Sequence, residues 1–281
     1  MNKKEIPFIF LDFDGTITDK KGNISDKAVE LLRGFENKMC RIIVTGRTIH
    51  SFCNKVEDDF PIDYLIFSTG AGIMDWDKKE IIDSTIFTET QTKIIEKKLK
   101  EMKLSFSMHH PIPENHKFQF FQGDEFADDF DRYMNLAKSF KKDWNDSVVR
   151  STQFLIITDD KNFDLNRFEN IRDFANVFKI SSPIDHKTTW IEILPKRVSK
   201  SSGARKLIKI CKMKPAITFA IGNDFNDEDL VEWADEGYFV DTAEISLKEK
   251  YPTLQNRNNN GVADFLERIR DRKKYCYEST L

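Results

Sequence analysis

Residues 6–13, IPFIFLDF, limit the fold more than any other stretch of the chain. β-Branched and aromatic side chains follow one another with little alternation, the pattern of a strand buried on both faces. Such strands lie inside parallel sheets covered by helices. The following segments keep the same rhythm. Ser25 is a candidate N-cap for a helix whose apolar residues Ala28, Val29, Leu31, Leu32 and Phe35 recur at helical spacing. Residues 41–45 form a second buried strand broken by Gly46, residues 49–56 read as a helix, and residues 64–68 as a third strand. This alternation predicts right-handed βαβ units and an α/β core with a parallel sheet.

The rhythm changes near residue 83. Residues 73–76 and 80–83 read as a hairpin around Asp77, Lys78 and Lys79. A helix over 89–104, strands over 105–109 and 118–121, and a strand over 153–158 follow. Phe126, Phe130, Tyr133, Met134 and Ala137 mark one face of an amphipathic helix, and residues 165–174 read as another helix. Strands with helices packed on one side predict a separate α+β domain over 83–188, inserted into a core made of 1–82 and 189–281. The core rhythm resumes with a strand over 189–194, a helix over 201–211 and a buried strand over 217–221. It continues with a helix from the candidate cap Asn226 to 234, a strand over 238–240 and helices over 243–250 and 262–272.

The first strand ends in Asp12 and Asp14. Residues two apart on a strand point to one side, so the two carboxylates converge at its carboxyl end, the edge of an α/β sheet where ligands bind. Like charges this close repel, and a cation between them relieves the repulsion; Mg²⁺, hard and oxygen-loving, suits such a pair. An ordinary solvated turn explains the pair equally well on its own. The stretch AIGNDFNDEDL, residues 220–230, repeats the layout of buried strand, glycine and acids. Asp229 and Glu228 suit a helix N-terminus. Asp224, ahead of the expected cap, is less well explained that way, and with Asp227 it would extend one acidic rim. In VTGRT, residues 44–48, Thr45 and the N–H groups of Gly46 and Arg47 could hold a phosphate at a helix start. Lys200, in RVSKSSGARKL, precedes a helix; by itself it is an exposed lysine, and Lys206 lies deeper in the helix.

Taken together, DFDGT, Thr45-Gly46, Lys200 and GNDFND resemble, in order and setting, the haloacid dehalogenase-like (HAD) phosphatases. The insertion between the Thr45 and Lys200 regions resembles the Cof-type branch, which includes many sugar-phosphate phosphatases. The resemblance implies a Rossmann-like core with an inserted α+β cap domain. It also implies roles. Asp12 would be the nucleophile and Asp14 the general acid and base. Thr45, Gly46, Lys200 and Asn226 would bind the substrate phosphate. The Asp12 side chain, the Asp14 carbonyl and Asp224 would bind Mg²⁺, with Asp227 supporting the metal through water or Lys200. The expected activity is Mg²⁺-dependent hydrolysis of small phosphomonoesters, sugar phosphates first among them. Rivals are a phosphomutase, which would return the phosphoryl group to its sugar, and a phosphosugar-binding protein without catalysis. Two departures stand out: the glycine after Lys200 comes late, at Gly203, and Thr69 stands in FSTGAG where relatives often carry Asn.

Other features point to bland roles. His109, His110 and His116 flank a loop with Pro111 and Pro113 and no paired Cys, so they read as surface histidines rather than a metal site. His186 lies near the return to the core. Cys40, Cys53, Cys211 and Cys276 show no CxxC spacing, as idle thiols in a reducing compartment would. The net charge of −3 and the alternation of lysine pairs such as Lys97-Lys98 and Lys273-Lys274 with acids argue against a nucleic-acid partner. Without a leader pattern or a membrane-length apolar run, the expectation is a cytoplasmic enzyme of a small phosphorylated metabolite, with no membrane partner.

Overall fold

A computed structural model describes residues 5–19, 21–124, 127–143, 150–182, 188–255 and 260–271. Phe126, His186, Lys273, Lys274 and Cys276, read above from the sequence, lie outside them. The chain divides into two compact units. One comprises Met1–Arg47, Cys53–Asp83 and Lys200–Leu281; the other comprises Thr48–Phe52 and Ser84–Ser199.

The first unit is built on β1 (Phe8–Leu11), β2 (Cys40–Val44), β3 (Tyr64–Phe67), β4 (Gly72–Asp75) and β5 (Glu80–Ser84). Strands β6 (Phe106–His109), β7 (Phe118–Phe121), β8 (Lys141–Lys142), β9 (Phe154–Thr158), β10 (Ala175–Ser181) and β11 (Thr189–Pro195) belong to the second unit. The chain then returns to the first unit with β12 (Thr218–Gly222), β13 (Glu236–Val240) and β14 (Thr253–Leu254). The first sheet runs β14-β13-β12-β1-β2-β3-β4-β5. Its centre is parallel, and β3 pairs antiparallel with β4. Strand β1 is flanked by β12 and β2, with Leu11 level with both Ile221 and Ile43. The strand order reverses at β1, which places the residues after β1, β2 and β12 on one carboxyl-end rim, at a topological switch point.

Both faces of β1 are buried, as its unbroken apolar run requires. Phe8, Phe10, Ile42 and Val44 pack against Ala204 and Leu207 of α5 (Lys200–Ile210) and Leu230 of α6 (Glu228–Trp233). In full chain order the helices are α1 (Asp26–Gly34), α2 (Ile49–Cys53), α3 (Glu89–Glu101), α4 (Asp128–Leu136), then α5 and α6, then α7 (Ile245–Lys250) and α8 (Gly261–Asp271). Ser25 caps α1, its hydroxyl accepting from the Ala28 N–H at 3.3 Å.

The second unit's sheet runs β10-β11-β9-β6-β7-β8. Helix α3 starts with a capping box between Thr88 and Gln91. It lays Ile95 and Leu99 on Phe106, Met108, Phe154 and Ile156. On the other face, Phe130 and Tyr133 of α4 meet Leu155, Ile157 and Trp190. The expected core boundary at 189 is corrected here. Strand β11 pairs antiparallel with both β9 and β10, so the return to the first unit begins at Lys200. An apolar run such as TWIEILP fits either sheet, and the pairing partners decide. Strand β10, absent from the sequence reading, is a half-buried strand of mixed composition at the sheet's end, and residues 165–171 form a 3₁₀ turn rather than a full helix.

Candidate active site

The rim places Asp12 directly after β1, its N–H donating to the Ile221 carbonyl at 2.9 Å. The Asp12 carboxylate is buried. Lys200, the first residue of α5, is 1% exposed and donates from Nζ to Asp12 Oδ1 at 2.6 Å and to Asp227 Oδ1. A lysine that reads as a surface residue in the sequence is thus fully enclosed between two carboxylates. Gly203 explains how α5 comes so close: a Cβ there would stand 2.7 Å from Ile66 Cγ2 and 3.1 Å from Gly70 Cα. The late glycine is a packing requirement, and Lys200 still opens the helix. Lys206 pairs with Asp83 away from this cluster.

Burial pushes the Asp12 carboxyl up to about 7, Asp227 adds to the rise, and Lys200 opposes it. For Lys200, burial works against the charge, but the two carboxylates reverse that effect and hold the ammonium firmly protonated. The other Asp12 oxygen, Oδ2, is buried and has no hydrogen-bond partner among the described residues. An unpartnered carboxylate oxygen in such a place is costly unless something binds to it.

Asp227 is fully buried and its carboxylate is engaged at both ends. Oδ1 accepts from Lys200, and Oδ2 accepts from the N–H groups of Asn223 and Asp224 at 2.9 and 3.0 Å. It therefore acts by holding Lys200 and shaping the loop after β12. Asp224 caps the 3₁₀ turn Phe225–Asp227, with Oδ1 accepting from the Phe225 N–H at 2.7 Å. The expected cap, Asn226, instead lies inside that turn; this correction follows from a helix that starts in two steps. Asp229 turns away to accept from Ser201, and Glu228 pairs with Lys250. Asn223, an amide among the acids of this loop, lies against the first rim turn. Its Nδ2 lies 2.5 Å from where a Cβ on Gly15 would stand, and Gly15 has φ +80°.

Thr45 is buried after β2. Its N–H donates to Ile66 and its carbonyl accepts from the Thr69 N–H, both at 2.9 Å. Its Oγ1 accepts from the Arg47 N–H at 3.1 Å. Thr69 itself is buried at φ 55°, a strained setting for a non-glycine residue, and it buttresses the Thr45 turn. At Gly46 an added Cβ would meet only Thr69 Oγ1, at 3.6 Å, so the turn is open there. Asp14, beyond the strand end, is held by the Arg47 guanidinium through two 2.7 Å hydrogen bonds. That partner lies 33 positions away along the chain, beyond the reach of local pattern.

Among the described residues, no three His, Cys, Asp or Glu side chains form a ready metal cluster. A cation at this rim would draw on Asp12 Oδ2, main-chain and amide oxygens, and water. That donor set is all oxygen with few charges, which fits Mg²⁺, an ion that keeps several waters. The histidines of the second unit are a separate matter and need correcting. His109 is 6% exposed, and His110 and His116 are half-buried, so none is a plain surface residue. The His109 Nδ1–H donates to the Asn115 carbonyl at 2.9 Å. Its Nε2 faces the hydroxyls of Ser107 at 3.2 Å and Tyr133 at 3.3 Å. Burial holds this imidazole neutral, at about 4.

The sequence model of a family described as haloacid dehalogenase-like hydrolase matches residues 9–266. The 5-amino-6-(5-phospho-D-ribitylamino)uracil phosphatase YwtE of Bacillus subtilis is 24% identical over 283 residues, covering 93% of this chain and 97% of that protein. A haloacid dehalogenase-like hydrolase from Bacteroides thetaiotaomicron superposes with a TM-score of 0.68 at 22% identity, covering 94% of this chain and all of that one. The HAD subclass IIB sugar phosphatase BT4131 gives a TM-score of 0.72 at 15% identity, over 93% of this chain and 98% of that one. These likenesses of fold extend through both units. No helix among the described residues is long and apolar enough to cross a membrane.

Proposed function

This chain belongs to the haloacid dehalogenase-like hydrolases, and on that premise we propose that it is a Mg²⁺-dependent phosphatase of small phosphomonoesters, sugar phosphates among them. The observation that carries the reading is the buried Asp12–Lys200–Asp227 cluster with Asp12 Oδ2 left unpartnered. An enclosed ammonium beside a carboxylate is what an anionic ester needs if a carboxylate is to approach it.

In this reading Asp12 forms a bond to phosphorus as the ester P–O bond breaks, giving an aspartyl phosphate. Lys200 neutralises charge on Asp12 and the incoming phosphate, and Asp227 keeps Lys200 in place. Thr45 and the Gly46 N–H hold the phosphate oxygens. Asp14 gives a proton to the leaving alcohol and later takes one from the water that releases inorganic phosphate. Mg²⁺ would be held by Asp12 Oδ2, the Asp14 carbonyl and the loop after β12 through Asn223 or Asp224, and would supply charge neutralisation. Asn226 is kept as a further phosphate contact. The inserted unit is read as the cap domain that selects the leaving group, and the location as cytoplasmic.

Phosphate release should be measured over a panel of sugar phosphates, nucleotides and aryl phosphates, with Mg²⁺ and with EDTA. Mg²⁺-dependent release from a subset of the esters is expected. Binding of phosphosugars with no release would favour the binding protein, and isomerised sugar phosphate without free phosphate would favour the mutase.

A further inference from the structure

Arg47 reaches from the Thr45 turn back to the turn after β1. Its Nε and Nη2 each donate to one oxygen of Asp14, both at 2.7 Å. This is the two-point fork that only arginine makes with a carboxylate. The guanidinium also lies 5.6 Å from the centroid of the Phe13 ring, and Phe13 is fully buried. Meanwhile the Arg47 main-chain N–H donates to Thr45 Oγ1. One residue therefore ties the Asp14 turn to the turn proposed to hold phosphate. The arrangement is needed because the Asp14 side chain is 44% exposed at the end of a strand. A carboxylate in that position has several rotamers, and few of them aim an oxygen at the atom next to Asp12.

We propose that Arg47 is the positioning residue for Asp14, acting on the reaction through that carboxylate and not by binding the substrate's phosphate. The proposal deepens the phosphatase reading and rests on it. Asp14 handles one proton in each half of the reaction. In the first, Asp14 starts protonated on one oxygen and held by one arm of the fork; that proton passes to the leaving oxygen as phosphorus bonds to Asp12 and the ester P–O bond breaks, which leaves the carboxylate that both arms hold. In the second, water bonds to phosphorus, its proton passes to Asp14, and the P–O bond to Asp12 breaks. Both transfers need an oxygen at hydrogen-bond reach and a fixed angle, and misplacement by about 1 Å costs on the order of 10²-fold.

The test is steady-state kinetics of Arg47→Met, Arg47→Lys, Arg47→Ala, Asp14→Asn and the Arg47→Met/Asp14→Asn double variant, on p-nitrophenyl phosphate and on the best sugar phosphate. Arg47→Met should lower kcat about 10²-fold and leave KM within about threefold. Arg47→Lys, which keeps the charge and loses the fork, should fall between it and the wild type. Methylguanidine should restore part of the rate to Arg47→Ala, which a misfolded protein would not allow. The double variant should be within about threefold of Asp14→Asn, because the effect of Arg47 passes through Asp14. A raised KM with unchanged kcat, or losses that multiply in the double variant, would make Arg47 a phosphate ligand and overturn the assignment. A wild type that releases no phosphate overturns the phosphatase reading and this assignment with it, whereas an active wild type with multiplying losses overturns the assignment alone.

Discussion

The rim around Asp12 and the inner network around His109 both bury titratable groups, and they do so in opposite ways. At the rim, an ammonium and two carboxylates are enclosed together, and one carboxylate oxygen is left without a partner among the described residues. In the second unit, a single imidazole is enclosed neutral, and both its ring nitrogens face hydrogen-bonding groups. Charges are expensive to bury, so a fold keeps an incompletely satisfied set where that set has chemistry to perform. A satisfied neutral histidine is a stitch between strand, loop and helix. On the proposed reading, the contrast separates a reactive site from a structural one within the same chain.

The largest effect expected is on turnover. Asp12→Asn should lower phosphate release by about 10⁴-fold or more, whereas His109→Phe should leave the specific activity of folded protein within about threefold; the reverse ranking would break the contrast. Next comes the metal. EDTA should bring release to background and Mg²⁺ should restore it. Asn223→Ala and Asp224→Ala should each be titrated with Mg²⁺, and the variant needing the higher concentration for half-activation identifies the nearer donor. Activity undiminished in EDTA would remove the metal from the account.

Two stability measurements sharpen the same comparison. Lys200→Met leaves two buried carboxylates unpaired and should cost about 3 kcal/mol in urea unfolding; an unchanged midpoint would mean the cluster is not enclosed as described. The pH responses should have opposite signs. The folded-state value of His109 is lowered from 6.5 to about 4, so its contribution is intact above pH 6.5 and is lost as pH falls toward 4. The loss approaches about 3 kcal/mol, and His109→Phe should flatten it. Asp12 is raised from 3.8 to about 7. Its contribution is therefore present below pH 4 and lost as pH rises through 7 in metal-free protein. Asp12→Asn should remove that loss, and urea midpoints across pH 4 to 8 would check both slopes.

Much of the first unit was legible because its strands are buried on both faces, and unbroken apolar runs such as FIFL have no other good home. Asp12, Asp14, Thr45 and Lys200 could be picked out because each sits where a predicted strand or helix begins or ends. What the sequence hid depends on partners distant along the chain. His109 looked like a surface residue because Tyr133, on a helix 24 positions later, helps to enclose it. Arg47 looked like part of a turn because its fork closes on Asp14. Asn223 went unnoticed because a search for carboxylates overlooks an amide, although its place directly after Gly222 was a usable signal. The boundary at 189 was misread because residue pattern reports burial and not the choice between two sheets.

On the proposed reading, Asp12 carries the phosphoryl group in the course of the reaction. The direct measurement is to quench the enzyme during turnover of a sugar phosphate, reduce any acyl phosphate with borohydride, and map the product by peptide mass spectrometry. Homoserine is expected at position 12, formed only with substrate and Mg²⁺ present. Phosphate release with position 12 still aspartate and another carboxylate reduced would contradict it.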